Sequence, residues 1–211
     1  MLAKWHKEIL TEDQRGLLPA VKSFAKDFGL VGGTAVALHI GHRESIDFDL
    51  FTKKPTFDFL PKKLERQFRR HALIADIFVE EDRELTFMTK NNVKVTFYHF
   101  EYNMPYAERF GSYITMPTLL TLAAMKAFAF GQRAKWKDYV DMYFIMRDHH
   151  TLDQIAAEAE KLFRGEFNAK LFRTQLAYFE DINYKEAVIF KPGFEVSDSE
   201  VKRSLTEWSL A

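Results

Sequence analysis

Apolar residues fall at helical spacing early in the chain. Leu17, Leu18, Val21, Phe24, Ala25 and Phe28 share one face, and Thr11 and Gln14 have capping-box spacing. Residues 1–29 therefore read as helical and end at Gly29, with Pro19 kinking the helix or shifting its start. Residues 30–51 read as strand, Gly-Gly turn, short helix, basic turn and strand. A turn follows at 53–56, then a basic amphipathic helix over 57–71. Its Lys62, Lys63, Arg66, Arg69 and Arg70 suit a solvated face or an electropositive wall for a nucleic acid.

From residue 73 to 101 the period changes to that of strands, which are predicted over 74–79, 84–89 and 93–99. Asn91-Asn92 suits a tight hairpin, because Asn tolerates positive φ. Residues 102–111 read as an irregular connection and 113–116 as a last short strand before Pro117. Helical patterns then cover 118–130, 136–147, a capped helix from Thr151 to about 163, and 168–179, with a break at Gly131. After an irregular stretch at 182–194, Ser197 opens the last helix. The fold class is α+β: a small mixed sheet flanked by helices over 1–116, and a helical bundle over 117–211 that completes a cleft.

Composition narrows the classes. Lysine plus arginine equals aspartate plus glutamate, so the formal net charge is zero. That argues against electrostatic binding of nucleic acid over the whole surface but leaves room for a local basic cleft. Cysteine is absent, which removes disulfides and cysteine metal sites. No apolar run is long enough to span a bilayer and the N-terminus lacks a signal-peptide core, so the expectation is a soluble, cytoplasmic protein with no membrane partner. None of the histidines has a convincing metal-ligand spacing. His39 and His42 read as surface or packing residues, and His149-His150 as a helix end.

The chemistry concentrates in residues 30–51. On the second strand Asp47 and Asp49 face one side, with Cα atoms roughly 6.5–7 Å apart, while Ile46, Phe48 and Leu50 point into a core. Two acids on such a strand need positive charge, and a divalent cation, Mg²⁺ or Mn²⁺, bridging to a phosphate suits them. Gly32-Gly33 lets backbone approach a phosphate, and the helix opening at Thr34 offers N–H groups to it. A Gly-Gly turn with a threonine cap is the plainer reading of the same residues. Arg43 suits a phosphate or the carboxylates of Asp47 and Asp49. Lys126 interrupts an apolar helix and must snorkel out or meet an anion.

Gly32-Gly33-Thr34, Arg43-x-Ser45 and Asp47-Phe48-Asp49, in this order on a strand–helix–strand frame, resemble the polymerase-β-like nucleotidyltransferases. More narrowly they resemble the AbiEii-type toxins of bacterial type IV toxin–antitoxin systems. Lys126, Arg133, Lys137, Asp138 and Asp141 also resemble that family's pattern. The resemblance implies transfer of a nucleoside monophosphate from NTP to an RNA (tRNA) or protein hydroxyl, with an antitoxin as genetic partner. Asp47 and Asp49 would be the metal ligands, with Lys126 and Asp141 as further catalytic residues. Gly32, Gly33, Thr34, Arg43, Ser45 and Arg133 would bind the nucleotide. Asp138 also suits plain dipole compensation in a first turn, and Asp141 could position Lys126 or Arg133.

One feature departs from the family. A third carboxylate is expected on a neighbouring strand, and the slot in this chain is Thr96. Glu101 lies on the opposite face by strand parity. The expectations that follow are one-metal transfer with Thr96 or His99 near the acceptor, or a degenerate, non-catalytic nucleotide-binding or protein-interaction module.

Overall fold

The computed structural model describes residues 5–130, 132 and 134–210. The expected break at Gly131 and the site residue Arg133 lie outside the described residues. Helix α1 (Glu12–Ser23) starts where the capping box places it: Thr11 Oγ1 accepts from the Gln14 N–H, and Gln14 Oε1 accepts from the Thr11 N–H. Pro19 is carried inside the helix without shifting its start. The helix stops before Gly29, however. Gly29 belongs to strand β1 (Phe28–Val31), where any side chain would run into the ring of Tyr106.

Helix α2 (Gly32–Ile40), strand β2 (Phe48–Thr52), helix α3 (Pro61–Phe68) and strands β3 (Ile74–Glu81), β4 (Glu84–Thr89) and β5 (Lys94–Tyr98) follow. Helix α3 is shorter than the basic pattern over 57–71. Pro61 occupies its first turn and holds Leu60 extended, so the helix cannot begin earlier. The five strands form one mixed sheet in the order β1-β2-β5-β4-β3. Only β2 and β5 run parallel, at its centre. Two three-residue strands, β6 (Glu108–Phe110) and β7 (Ile114–Met116), pair as a ribbon. Strand β6 lies in the stretch read as irregular; three residues carry too little period to be seen, and pairing with β7 creates the strand.

Alternation divides the sheet cleanly. Val95 and Phe97 of β5 point into the core, and the Phe97 ring lies 4.7 Å from Phe24, 5.1 Å from Phe28 and 6.4 Å from Phe68, centroid to centroid. That face is covered by α1 and α3. Lys94, Thr96 and Tyr98 project from the other face and are only half-buried. On β2, Phe48 and Leu50 are buried as expected, but Ile46 is 47 % exposed. The strand begins at Phe48, so its alternation does not extend back to Ile46.

Helices α4 (Leu119–Phe130), α5 (Trp136–Asp148), α6 (Leu152–Phe163), α7 (Ala169–Leu176) and α8 (Asp198–Leu210) complete the chain. Helix α4 packs on α6, and α2 packs on both α4 and α5. The irregular stretch at 182–194 is used structurally. The Glu44 N–H donates to Ile189 O and the Lys191 N–H to His42 O, which pins the basic turn ahead of β2. Among the described residues no helix is long and apolar enough to cross a membrane.

Candidate active site

A cleft of about 590 Å³ lies between the half-buried face of the sheet and α4. Asp49 and Phe51 of β2, Lys94, Thr96 and Tyr98 of β5, Glu84 and Thr86 of β4, and Gly32 line it from one side. Met125, Lys126 and Phe128 of α4 line the other. Asp49 lies in register with Val31 on one side and Thr96 on the other.

Gly32 explains why glycine is needed here. Its φ is +69°, and a Cβ would overlap Asp49 Oδ2. The Asp49 carboxylate therefore reaches the first turn of α2, where helix N–H groups favour negative charge. Gly33 serves a different neighbour, since a Cβ there would stand 2.7 Å from Arg43 Nη2. No side chain of the N-cap residue Val31 caps α2. Thr34 does not act as a cap. Its hydroxyl donates to the Asp47 carbonyl and is hydrogen-bonded to Ser45 Oγ at 2.9 Å, so Thr34 and Ser45 tie α2 to the backbone that presents Asp47.

Asp47 itself forms an ion pair with Lys94, 2.8 Å from Oδ2 to Nζ. Burial would lower the Lys94 ammonium, but the hydrogen bond and charge of Asp47, then the charge of Asp49, outweigh it and raise it above its ordinary value. Lys94 was missed in the sequence. It was legible there, two positions before Thr96 and so on the same strand face.

Behind the cleft lies a buried ionic cluster. Arg43 does not hold Asp47 or Asp49, as one sequence reading had it. It forks onto Asp141, Nε to Oδ1 at 2.6 Å and Nη2 to Oδ2 at 2.8 Å, while Nη1 donates to Glu44 O. Lys126 meets anions rather than snorkelling: its Nζ lies 2.5 Å from Asp138 Oδ1 and 2.7 Å from Asp141 Oδ2. Asp138 is thus buried as the partner of Lys126, beyond any service to the helix dipole. Of the two readings of His42, surface or packing, packing holds. His42 is fully buried against the Phe144 ring, with Nε2 2.8 Å from Asp141 Oδ1. Burial alone would raise the Asp141 carboxyl, but Arg43 and then Lys126 hold it well below the usual carboxylate range. Burial lowers the His42 imidazole despite Asp141, which keeps it neutral near pH 7.

Glu101 lies beyond the end of β5, where strand parity no longer applies. It is exposed at the cleft rim and ion-paired with Arg83. Among the described residues no group of three or more His, Cys, Asp or Glu side chains is arranged to hold a metal ion. Asp47 and Asp49 do fit the hard-oxygen donor set of Mg²⁺, which needs only one or two carboxylates when substrate phosphates and water supply the rest.

A five-stranded mixed sheet with Asp49 at a helix N-terminus, facing across a cleft an apolar helix that carries Lys126, is the architecture of a nucleotidyltransferase-type fold. The model of the nucleotidyl transferase AbiEii toxin family, type IV toxin–antitoxin system, matches residues 17–195, and the chain belongs to that family of nucleotidyltransferases. It is 31 % identical over 210 residues to aq_aa25 of Aquifex aeolicus, covering 94 % of this chain and 97 % of that protein. Its fold is similar to that of JHP933 from Helicobacter pylori (TM-score 0.60, 18 % identity, 95 % of this chain and 92 % of that one). It is also similar to that of MenT4, a nucleotidyltransferase toxin from Mycobacterium tuberculosis (TM-score 0.58, 11 % identity, 93 % and 80 %).

Proposed function

We propose that this enzyme transfers a nucleoside monophosphate from an NTP to an RNA or protein hydroxyl, in the cytoplasm, as the toxin of a toxin–antitoxin pair. The observation that carries the reading is the placement of Asp49 against Gly32 at the α2 N-terminus, with Asp47 beside it and Lys94 and Lys126 on the cleft walls. Residues 1–116 act as the nucleotidyltransferase core and the helices of 117–211 close the cleft. The acceptor oxygen attacks the α-phosphorus, the bond to the bridging oxygen breaks, and pyrophosphate leaves. Asp47 and Asp49 would hold Mg²⁺ or Mn²⁺, whose charge neutralises the phosphates when it is bound. Gly32, Gly33 and the first turn of α2 receive phosphate oxygens, Lys94 adds positive charge along them, and Lys126, paired with Asp138 and Asp141, stands at the cleft wall. Arg43, Ser45, Thr34 and Asp141 act by position, setting the acids against α2 and holding Lys126 at the wall.

Calorimetric titration of each NTP into wild type and Asp47→Ala/Asp49→Ala, with and without Mg²⁺, tests this. Mg²⁺-dependent binding lost in the double variant is expected. Binding indifferent to both Mg²⁺ and the two aspartates would overturn the site assignment.

A further inference from the structure

The sheet face of the cleft carries a row of polar groups that extends past the aspartates. Asp49 lies in register with Thr96 on β5, and Thr96 with Thr86 on β4. All three side chains are on the cleft face. Thr86 Oγ1 is 2.7 Å from Glu84 Oε1 and 3.1 Å from Thr96 Oγ1. A threonine hydroxyl has one proton and two lone pairs, and a carboxylate only accepts. The Thr86 proton therefore points to Glu84, and the Thr96 proton supplies the bond between the two hydroxyls. The lone pairs of Thr96 Oγ1 then remain to accept from the cleft, beside Asp49.

We propose that Glu84 is the terminal proton acceptor of the transfer reaction, reached through the hydroxyls of Thr96 and Thr86; this rests on the nucleotidyl-transfer reading above. As the acceptor oxygen bonds to the α-phosphorus, its proton passes to Thr96 Oγ1. The Thr96 proton moves to Thr86, the Thr86 proton moves to Glu84, and pyrophosphate leaves. Both hydroxyls are restored, and the protonated Glu84, half-buried at the cleft, returns its proton to solvent. The strand position expected to carry an acid thus holds a hydroxyl, with the acid displaced onto the next strand. Cross-strand threonine pairs also stabilise sheets with no chemical role, so the test must separate the two roles. The groups facing Glu84 are Tyr98 opposite on β5, Glu81 opposite on β3, and the Arg83–Glu101 pair at the rim; Lys94, Lys126 and Glu166 line the same cleft.

The experiment measures kcat, its pH profile and Mg·NTP affinity with α-labelled NTPs, using bulk tRNA and a whole-cell protein extract as acceptors. Glu84→Gln, Thr86→Val and Thr96→Val are expected to lose about 10²–10⁴-fold in kcat, the usual share of acid–base assistance, with NTP affinity within about twofold of wild type. Thr96→Ser, which keeps the hydroxyl, should retain most activity, and the acid limb of the kcat profile should shrink in Glu84→Gln. Wild-type kcat in Glu84→Gln or Thr86→Val would overturn the relay while leaving nucleotidyl transfer intact. So would Thr96→Ser being as impaired as Thr96→Val, or a fall in kcat matched by lost NTP binding. A wild type that labels neither acceptor would take the transfer reading down, and the relay with it.

Discussion

Arg43 and Asp141 stand 98 positions apart in the chain and meet in a two-point ion pair with both side chains buried. This pair fastens the turn before β2 to α5. It therefore sets the Asp47–Asp49 side of the cleft against the Lys126 side. Its energetics follow from burial: removing one partner strands the other charge in a low-dielectric interior. Asp141→Asn should lower unfolding free energy by about 3–5 kcal/mol. Urea denaturation monitored by tryptophan fluorescence measures this, and a loss below about 1 kcal/mol would show that water or a local rearrangement rescues Arg43 and Lys126.

Acid should destabilise the fold from near neutrality downward. His42 is lowered in the folded state by burial, so as pH falls below its ordinary value of 6.5 the unfolded chain takes up the proton first. Asp141 is held well below the ordinary 3.8, so its stabilisation is present above that value and is lost as pH falls through the folded one. Both groups give the unfolded state more bound protons, and stability then rises with pH. Urea midpoints taken from pH 8 to pH 5 should fall steadily on the acid side. A midpoint that rises toward pH 5 would contradict the assignment of neutral His42.

Lys94 competes for the carboxylate that a metal would use. Lys94→Met should leave Asp47 without its 2.8 Å ion-pair partner and strengthen divalent-ion binding in the absence of nucleotide. A partly buried pair is worth about 1 kcal/mol, so the gain should be about fivefold. Titration calorimetry with Mn²⁺ on both proteins reads it directly. Weaker Mn²⁺ binding in the variant would mean that Lys94 organises the acids instead of opposing the ion.

Gly32 combines positive φ with the close approach of Asp49. Gly32→Ala should cost about 1–2 kcal/mol for the left-handed backbone alone, with added strain from displacing the carboxylate. Thermal melting and Mg·NTP titration should both deteriorate. Gly16→Ala, where a Cβ meets nothing within 4 Å inside α1, serves as the control and should leave NTP binding unchanged.

Periodicity, caps and the Gly-Gly turn were enough to determine where most strands and helices lie, and that a helix starts just after β1. These are properties of near neighbours: side-chain alternation, capping offsets and positive φ are set within a few residues. The partners were another matter. Arg43 could have served Asp47, Asp49 or a phosphate on sequence grounds, and the packing of α2 on α5 gave it to Asp141. Packing also took His42 and Asp138 out of solvent and into the buried cluster. The pairing of Lys94 with Asp47, and the row from Asp49 through Thr96 to Thr86, depend on β2 and β5 lying side by side in one register. Strand pairing between residues some fifty positions apart is fixed by the whole core, with Phe97 packed among Phe24, Phe28 and Phe68, and by no local pattern. Only the tertiary structure could decide it.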